Sequence, residues 1–218
     1  MLEDTNAMKP PSIRIWGRAS SSNVKKVLWL AETLGIAVDR IDAGLAFGVV
    51  NTPPFRALNP NGRVPVLQDG DVTLWESNAI LRYLAMAYDG ERFYPSQAAE
   101  RASIDRWMDW QLSILTPVEA PLYIATIRTP VDQHDGAAIA SGVRKLLAAW
   151  DVLEQRLAER PFIEGNRLTL ADFALGPFAP RLINNPFIDV PDLPGIRTWY
   201  RRLQEDSGFR LQVDQPLE

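Results

Sequence analysis

The chain has 218 residues, no cysteine and one histidine, with 23 basic against 27 acidic side chains and a net charge of −4. Lack of cysteine removes disulfide scaffolds, thiolate zinc sites and cysteine catalysis; the lone His134, in the polar run Asp132-Gln133-His134-Asp135-Gly136, reads as a solvated loop residue, so no metal site is expected. The weak acidic balance argues against nucleic acid or an anionic membrane as partner, and no apolar stretch reaches the roughly 18 residues of a membrane span.

Residues 1–12 are polar and charged and read as a flexible N-terminal extension, not a secretory signal, with Met8 offering an alternative start. Ile13 to Trp16 reads as a short strand. Val27, Leu30, Ala31 and Leu34 then mark one face of a helix that Gly35 closes. Val38 to Ile41 is a second strand. The mixed stretch Gly44 to Pro60, broken by Pro53-Pro54, holds one irregular helix. Val64 to Leu67 and Val72 to Trp75 form a hairpin across Asp69-Gly70, and a helix starts at Ser77 with Ile80, Tyr83, Leu84 and Ala87 on its apolar face. This order implies a small mixed sheet with helices packed on it, over residues 13–88.

A linker, 89–97, carries Gly90 and Pro95. Beyond it, strand signals fade and residues 98–212 read as all-α, with helical spacing over Ala99 to Leu115 and Ser141 to Leu157 and around Trp199 and Leu203; 213–218 form a C-terminal tail.

Three segments carry chemistry. In Ser20-Ser21-Ser22-Asn23, a hydroxyl at a helix start can donate to an anion that the helix dipole also favours. On spacing alone a helix cap is the plainer reading. In Asn59-Pro60-Asn61-Gly62-Arg63-Val64-Pro65, a proline at the strand entrance would, if its bond is cis, turn the Val64 main chain outward to pair with a peptide-like ligand; an ordinary strand-entrance proline is the alternative. In Glu76-Ser77-Asn78-Ala79-Ile80, a carboxylate and a hydroxyl beside a helix start suit an amino group and a carboxylate together, though Ser77 would equally serve as a cap.

The order and placement of Ser21-x-Asn23-Val24-x-Lys26-Val27-Leu28, the Asn59 to Pro65 segment and Glu76 to Ile80 resemble the glutathione-site segments of soluble glutathione transferases. Gly165 followed by Leu168-Thr169-Leu170-Ala171-Asp172 is similar to that family's helix capping box, with Thr169 and Asp172 in a folding role. The likeness runs over about residues 13–210.

The resemblance implies a thioredoxin-like α/β N-terminal domain that binds glutathione and an all-α C-terminal domain that forms the second-substrate site. It further implies a cytoplasmic homodimer, the all-α half of one subunit facing the α/β half of the other, and glutathione as cosubstrate with no prosthetic group. Members activate the thiol with tyrosine, serine or cysteine. Cysteine is absent and the first strand lacks tyrosine, which leaves the serine-type pattern, and the chain resembles a bacterial, theta-like member of the family. Counting back from Val27 places the catalytic position at Ser21, with Ser20 and Ser22 one residue away and Asn23 as a rival donor. Arg18 would contribute to the electropositive surround. Carried over by position, Val64 and Pro65 would meet the cysteinyl part of glutathione, Glu76 and Ser77 the γ-glutamyl end, and Arg63 the glycyl end. Trp107, Met108, Trp110, Gln111, Tyr123 and Arg128 are candidates for the wall around a small hydrophobic or halogenated electrophile; Trp107 is expected in the core, and Trp110, Gln111 and Tyr123 are the preferred wall residues. A glutathione-dependent isomerase or peroxidase on the same site, or a non-catalytic binding relative, are the alternatives.

Overall fold

The computed structural model describes residues 12–218. The expected extension and the alternative start at Met8 lie outside the described residues. Strand β1 (Ser12–Trp16) pairs in parallel with β2 (Ala37–Ile41), and α1 (Ser22–Thr33) crosses between them. The antiparallel hairpin of β3 (Val66–Asp69) and β4 (Val72–Trp75) joins the other side of β1, giving a four-stranded sheet of order β2-β1-β3-β4. A parallel pair needs a long crossover, and the α1 segment supplies it; Gly70, at φ 54°, makes the tight hairpin turn. Gly35, at φ 69°, ends α1, its N–H bonding back to the Glu32 carbonyl and that of Ile36 to Ala31, as a left-handed C-cap does.

Boundaries shift where proline intervenes. Pro53 and Pro54 begin the short α2 (Pro53–Leu58) instead of breaking a helix, because a first-turn position has no N–H partner to lose. A 3-10 turn, Leu45–Phe47, precedes it. β3 begins at Val66, two residues later than expected, after a cis Val64-Pro65 bond that leaves Val64 outside the ladder. α3 (Ser77–Ala87) packs against α1, and its Tyr83, with Tyr88 just beyond, donates to the Asp69 carboxylate at 2.8 and 2.6 Å, pinning helix to hairpin.

The remaining elements are helical. α4 (Ala98–Trp110) and α5 (Thr116–Tyr123) are one near-continuous rod with two wide π-type turns, Gln111–Leu115 and Ile124–Arg128. Pro117 and Pro121 lack the N–H an α-helix needs, and the wide turns flank them. The expected helix over Ala99 to Leu115 therefore continues well past Leu115. α6 (Gly136–Leu157), α7 (Leu170–Leu175), α8 (Ala179–Ile183), α9 (Pro194–Leu203) and α10 (Ser207–Gln212) complete the layer. His134 is in a loop but half-buried, its Nε2 3.0 Å from the Thr129 carbonyl and its ring edge-on to Phe187, so it is less solvated than its polar neighbours suggested.

The α1 helix is central. The sequence marks one apolar face, yet every residue from Val24 to Ala31 is buried. One side of α1 meets the sheet and α3; the other meets α7 and α10, where the Trp29 ring lies 4.2 Å from Phe173 and 4.9 Å from Phe209. One apolar core thus runs through both halves, from Ile13 and Ile15 to Trp150, Trp199 and Phe209. Thr169 and Asp172 form the expected capping box of α7. Asp172, fully buried, also accepts from the Ile163 N–H at 3.1 Å and the Trp199 indole at 2.9 Å.

Candidate glutathione and electrophile site

Where the N-terminus of α1 meets α5 and α8, the fold leaves a cleft of about 450 Å³ lined by Arg18, Ser21, Ser22, Asn23, Arg63 and Val64 on one side and by Thr116, Glu119, Ala120, Ile124, Arg128, Phe178 and Arg181 on the other. Gly17 lets the chain turn there: a Cβ on it would lie 2.4 Å from Val24 and 3.3 Å from Val64.

Ser21 holds the N-cap position of α1, in an extended conformation (φ −77°, ψ 120°), but its side chain makes no capping bond. The hydroxyl is thus not spent on capping, and Ser21 lines the cleft. Ser22 is engaged differently, accepting from Arg181 Nη1 at 2.9 Å. The Asn23 Oδ1 accepts from the Ser77 hydroxyl at 3.3 Å, which ties the first segment to the third. Ser77 opens α3, so its first-turn N–H groups lack helical partners. Glu76 is exposed and has a positive φ of 71°, a region that costs a non-glycine residue about 1–3 kcal/mol. Arg63 is exposed at the cleft edge, and Val64, its main chain outside the β3 ladder, is half-buried beside it.

Beneath this surface is a polar cluster. Lys26 is fully buried, and its ammonium donates to Gln111 Oε1 at 2.6 Å, Asn78 Oδ1 at 3.3 Å and Ser77 Oγ at 3.4 Å. Burial pushes its pKa down to about 7, while Glu76 and Glu119 pull the other way. Glu119, also buried, lies 2.8 Å from Arg181 Nε; burial raises its pKa, and Arg181, Arg128 and Lys26 oppose that. The Arg181 guanidinium in turn lies 3.3 Å over the Tyr123 ring.

The residues expected on the second-substrate wall are placed elsewhere, with one exception. Gln111 is fully buried as the main acceptor of Lys26, Met108 is core, Trp107 is core as expected, and Trp110 packs edge-on to Trp107 outside the cleft. Tyr123 is buried beneath Arg181, its hydroxyl bonding the Glu218 main chain at 2.7 Å. The α5 side of the cleft is lined instead by Thr116, Ala120, Ile124 and Arg128, a stripe of every fourth residue along the rod. Of the named candidates only Arg128 belongs to it. Lys26, Glu119 and Arg181 were not singled out; Lys26 stood inside the matched first motif, and the other two carried no local signal.

Comparison with known proteins agrees with this fold. Residues 11–86 match the family model "Glutathione S-transferase, N-terminal domain" and residues 136–202 match "Glutathione S-transferase, C-terminal domain". Glutathione S-transferase GstB of Escherichia coli K12 is 37% identical over 207 residues, 94% of this chain and 99% of that protein. Glutathione S-transferase 3 of Zea mays is 31% identical, covering 92% of this chain and 93% of the maize protein. The theta class glutathione S-transferase of Xanthomonas axonopodis pv. citri, solved with glutathione bound, superimposes with a TM-score of 0.92 at 44% identity, covering 95% of this chain and all of that one. With its thioredoxin-like sheet domain and helical second half, the chain belongs to the glutathione S-transferase family.

Proposed function

We propose that this chain binds glutathione along the cleft, ionises its thiol at Ser21 and passes the thiolate to a small electrophile held against the α5 wall. The observation that carries the reading is the Ser21 hydroxyl, placed at a helix N-cap yet not spent on capping. A free thiol has a pKa of about 8.5, and lowering it by two units takes about 2.7 kcal/mol of preferential thiolate stabilisation. One hydroxyl bond to an anion, about 1.5–3 kcal/mol, together with a helix N-terminus meets that need. Asn23, whose Oδ1 is taken by Ser77, keeps its amide N–H groups for the same sulfur or its neighbour. Arg18 adds positive potential.

The other contacts follow from the frame. The Val64 main chain pairs with the cysteinyl amide at the Val64-Pro65 turn; the first-turn N–H groups of α3 at Ser77 take the γ-glutamyl carboxylate, Glu76 its amine, and Arg63 the glycyl carboxylate. The chemistry belongs in the cytoplasm, where glutathione is kept reduced; among the described residues no helix is long and apolar enough to cross a membrane. A homodimer is supported by exposed apolar side chains on both halves, Trp75 and Met86 on one and Leu112 and Ile114 on the other.

The test is turnover of a haloacetamide with glutathione. Ser21→Ala is expected to lower kcat about 10- to 100-fold with little change in glutathione KM. An unchanged kcat removes Ser21 as the activating group.

A further inference from the structure

The Ser21 hydroxyl stands on a short turn that both halves of the chain hold. On the helix side, its carbonyl accepts from the Val24 and Lys25 N–H groups at 2.9 and 2.8 Å. The other hold comes from α8. Arg181 Nη1 donates to the Ser22 hydroxyl at 2.9 Å across 159 positions of sequence, the one hydrogen bond that Arg181 makes among the described residues. Its Nε lies 2.8 Å from Glu119 Oε1 but off the hydrogen-bond line, so that contact is ionic.

The guanidinium that makes this bond is itself held on two sides by α5. It lies 3.3 Å over the Tyr123 ring and beside the Glu119 carboxylate. The Tyr123 hydroxyl is fixed in turn, donating to the Glu218 carbonyl at 2.7 Å and accepting from the Glu218 N–H at 3.1 Å. Burial pushes the Glu119 pKa up and the Arg181 pKa down, and each charge opposes the shift of the other, so the two stay ionised as a pair. Behind the turn, Ser20, Ser22, Lys25, Tyr123, Arg181 and Glu218 surround a gap of about 10 Å³, room for one water at most. The turn therefore has little space to swing back from the cleft.

We propose that Arg181 is a positioning residue for Ser21: anchored on α5, it holds Ser22 and so sets how well the neighbouring Ser21 hydroxyl meets the glutathione sulfur. This rests on the proposed thiol-activating role of Ser21. Arg181 acts by geometry and not by charge at the sulfur, because its charge is matched by Glu119 and its hydrogen bond goes to Ser22. A donor displaced by about 1 Å loses most of its bond to an anion, and such a displacement can lower a rate by about 100-fold. The all-α half thereby takes part in ionising a thiol bound on the α/β half.

The experiment is a double-mutant cycle of Ser22→Ala and Arg181→Lys, with Ser21→Ala in parallel. Ser22→Ala removes the acceptor and leaves the Arg181–Glu119 pair intact. Arg181→Lys keeps a cation beside Glu119 and over the Tyr123 ring, but a shorter ammonium cannot span Glu119 and Ser22 as the planar fork does. Both variants keep the buried carboxylate paired, so both are expected to fold. Turnover of iodoacetamide and the ultraviolet titration of the bound glutathione thiol are measured for each. Each single variant is expected to lower kcat about ten-fold and raise the bound thiol pKa by about one unit, with glutathione KM within about two-fold of wild type. The double variant is expected to be no worse than either single one, because one bond is lost in all three. Wild-type kcat and thiol pKa in either single variant overturn the inference, and a loss of both in Ser21→Ala then leaves the proposed function standing. Losses that multiply in the double variant also overturn it, since Ser22 and Arg181 would then act separately. A change confined to glutathione KM overturns it too, because the pair would then serve binding alone. If Ser21→Ala itself changes nothing, the proposed function falls and the inference with it.

Discussion

At the residue scale, Ser21 and Lys26 differ in how far the sequence shows them. Ser21 is legible because its chemistry is local: a hydroxyl at a helix start, in a chain with no cysteine to compete. Lys26 looks like a solvated charge, since its acceptors arrive from distant segments; Gln111 is 85 positions away, and Arg181 reaches Ser22 across 159. The Lys26 ammonium secures Ser77 and Asn78 from below, so in the binding mode proposed above it is a positioning residue for the γ-glutamyl end. Lys26→Met leaves those acceptors without a donor, and a loss of about 2 kcal/mol is expected, read as a thermal midpoint lower by about 4–8 °C. Glutathione binding should weaken with it. The folded pKa of about 7 lies below the unfolded 10.5. Between those values the unfolded chain binds more protons, so this group makes stability rise with pH, by up to about 1.4 kcal/mol per unit. Denaturant melts at several pH values in that window should show the rise in wild type and its loss in Lys26→Met.

At the element scale, periodicity locates what packs on one side and misjudges what packs on two. β1, β2 and the hairpin appear where alternation and turn residues put them, whereas α1 shows one apolar face in sequence and buries both. The helical spacing read from the sequence stops near Leu115, but wide turns carry the α4–α5 rod past both Pro117 and Pro121. That continuation explains why the wall residues fall at Thr116, Ala120, Ile124 and Arg128 and not one turn earlier. The α7 capping box was legible as a motif; its wider bonding was not, because Trp199 and Ile163 come from elsewhere. Asp172→Ala removes the acceptor for the Thr169, Ile163 and Trp199 donors in a fully buried position. A destabilisation of about 3–5 kcal/mol is expected in equilibrium unfolding, and a loss under 1 kcal/mol contradicts the role. Burial raises the Asp172 pKa to about 6 from 3.8, so the folded chain binds more protons between these values. This group therefore makes stability fall as pH rises from about 4 to 6, opposite in sign to Lys26.

At the scale of the whole molecule, the two halves share one core through α1, and Lys25 and Trp29 tie that helix to the C-terminal segment, at 3.0 Å to the Val213 carbonyl and 2.9 Å to Asp206. The Ser21 end of α1 is thus held on a rigid element, the condition for aiming a hydroxyl at a sulfur. Exposed apolar side chains on both halves lead to an expected mass of about twice the 24.5 kDa chain in light scattering at micromolar concentration, with Trp75→Lys shifting it toward one chain. A single-chain mass for wild type contradicts the proposed homodimer. The proposed function depends above all on the Ser21 hydroxyl holding the glutathione sulfur as a thiolate. The direct measurement is a titration of bound glutathione followed by thiolate ultraviolet absorbance, in wild type and Ser21→Ala. In the wild type the bound thiol is expected to titrate about two units below the free thiol, returning most of the way to it in the variant. A bound thiol that titrates as free glutathione does in the wild type, or one that stays depressed without the hydroxyl, would contradict it.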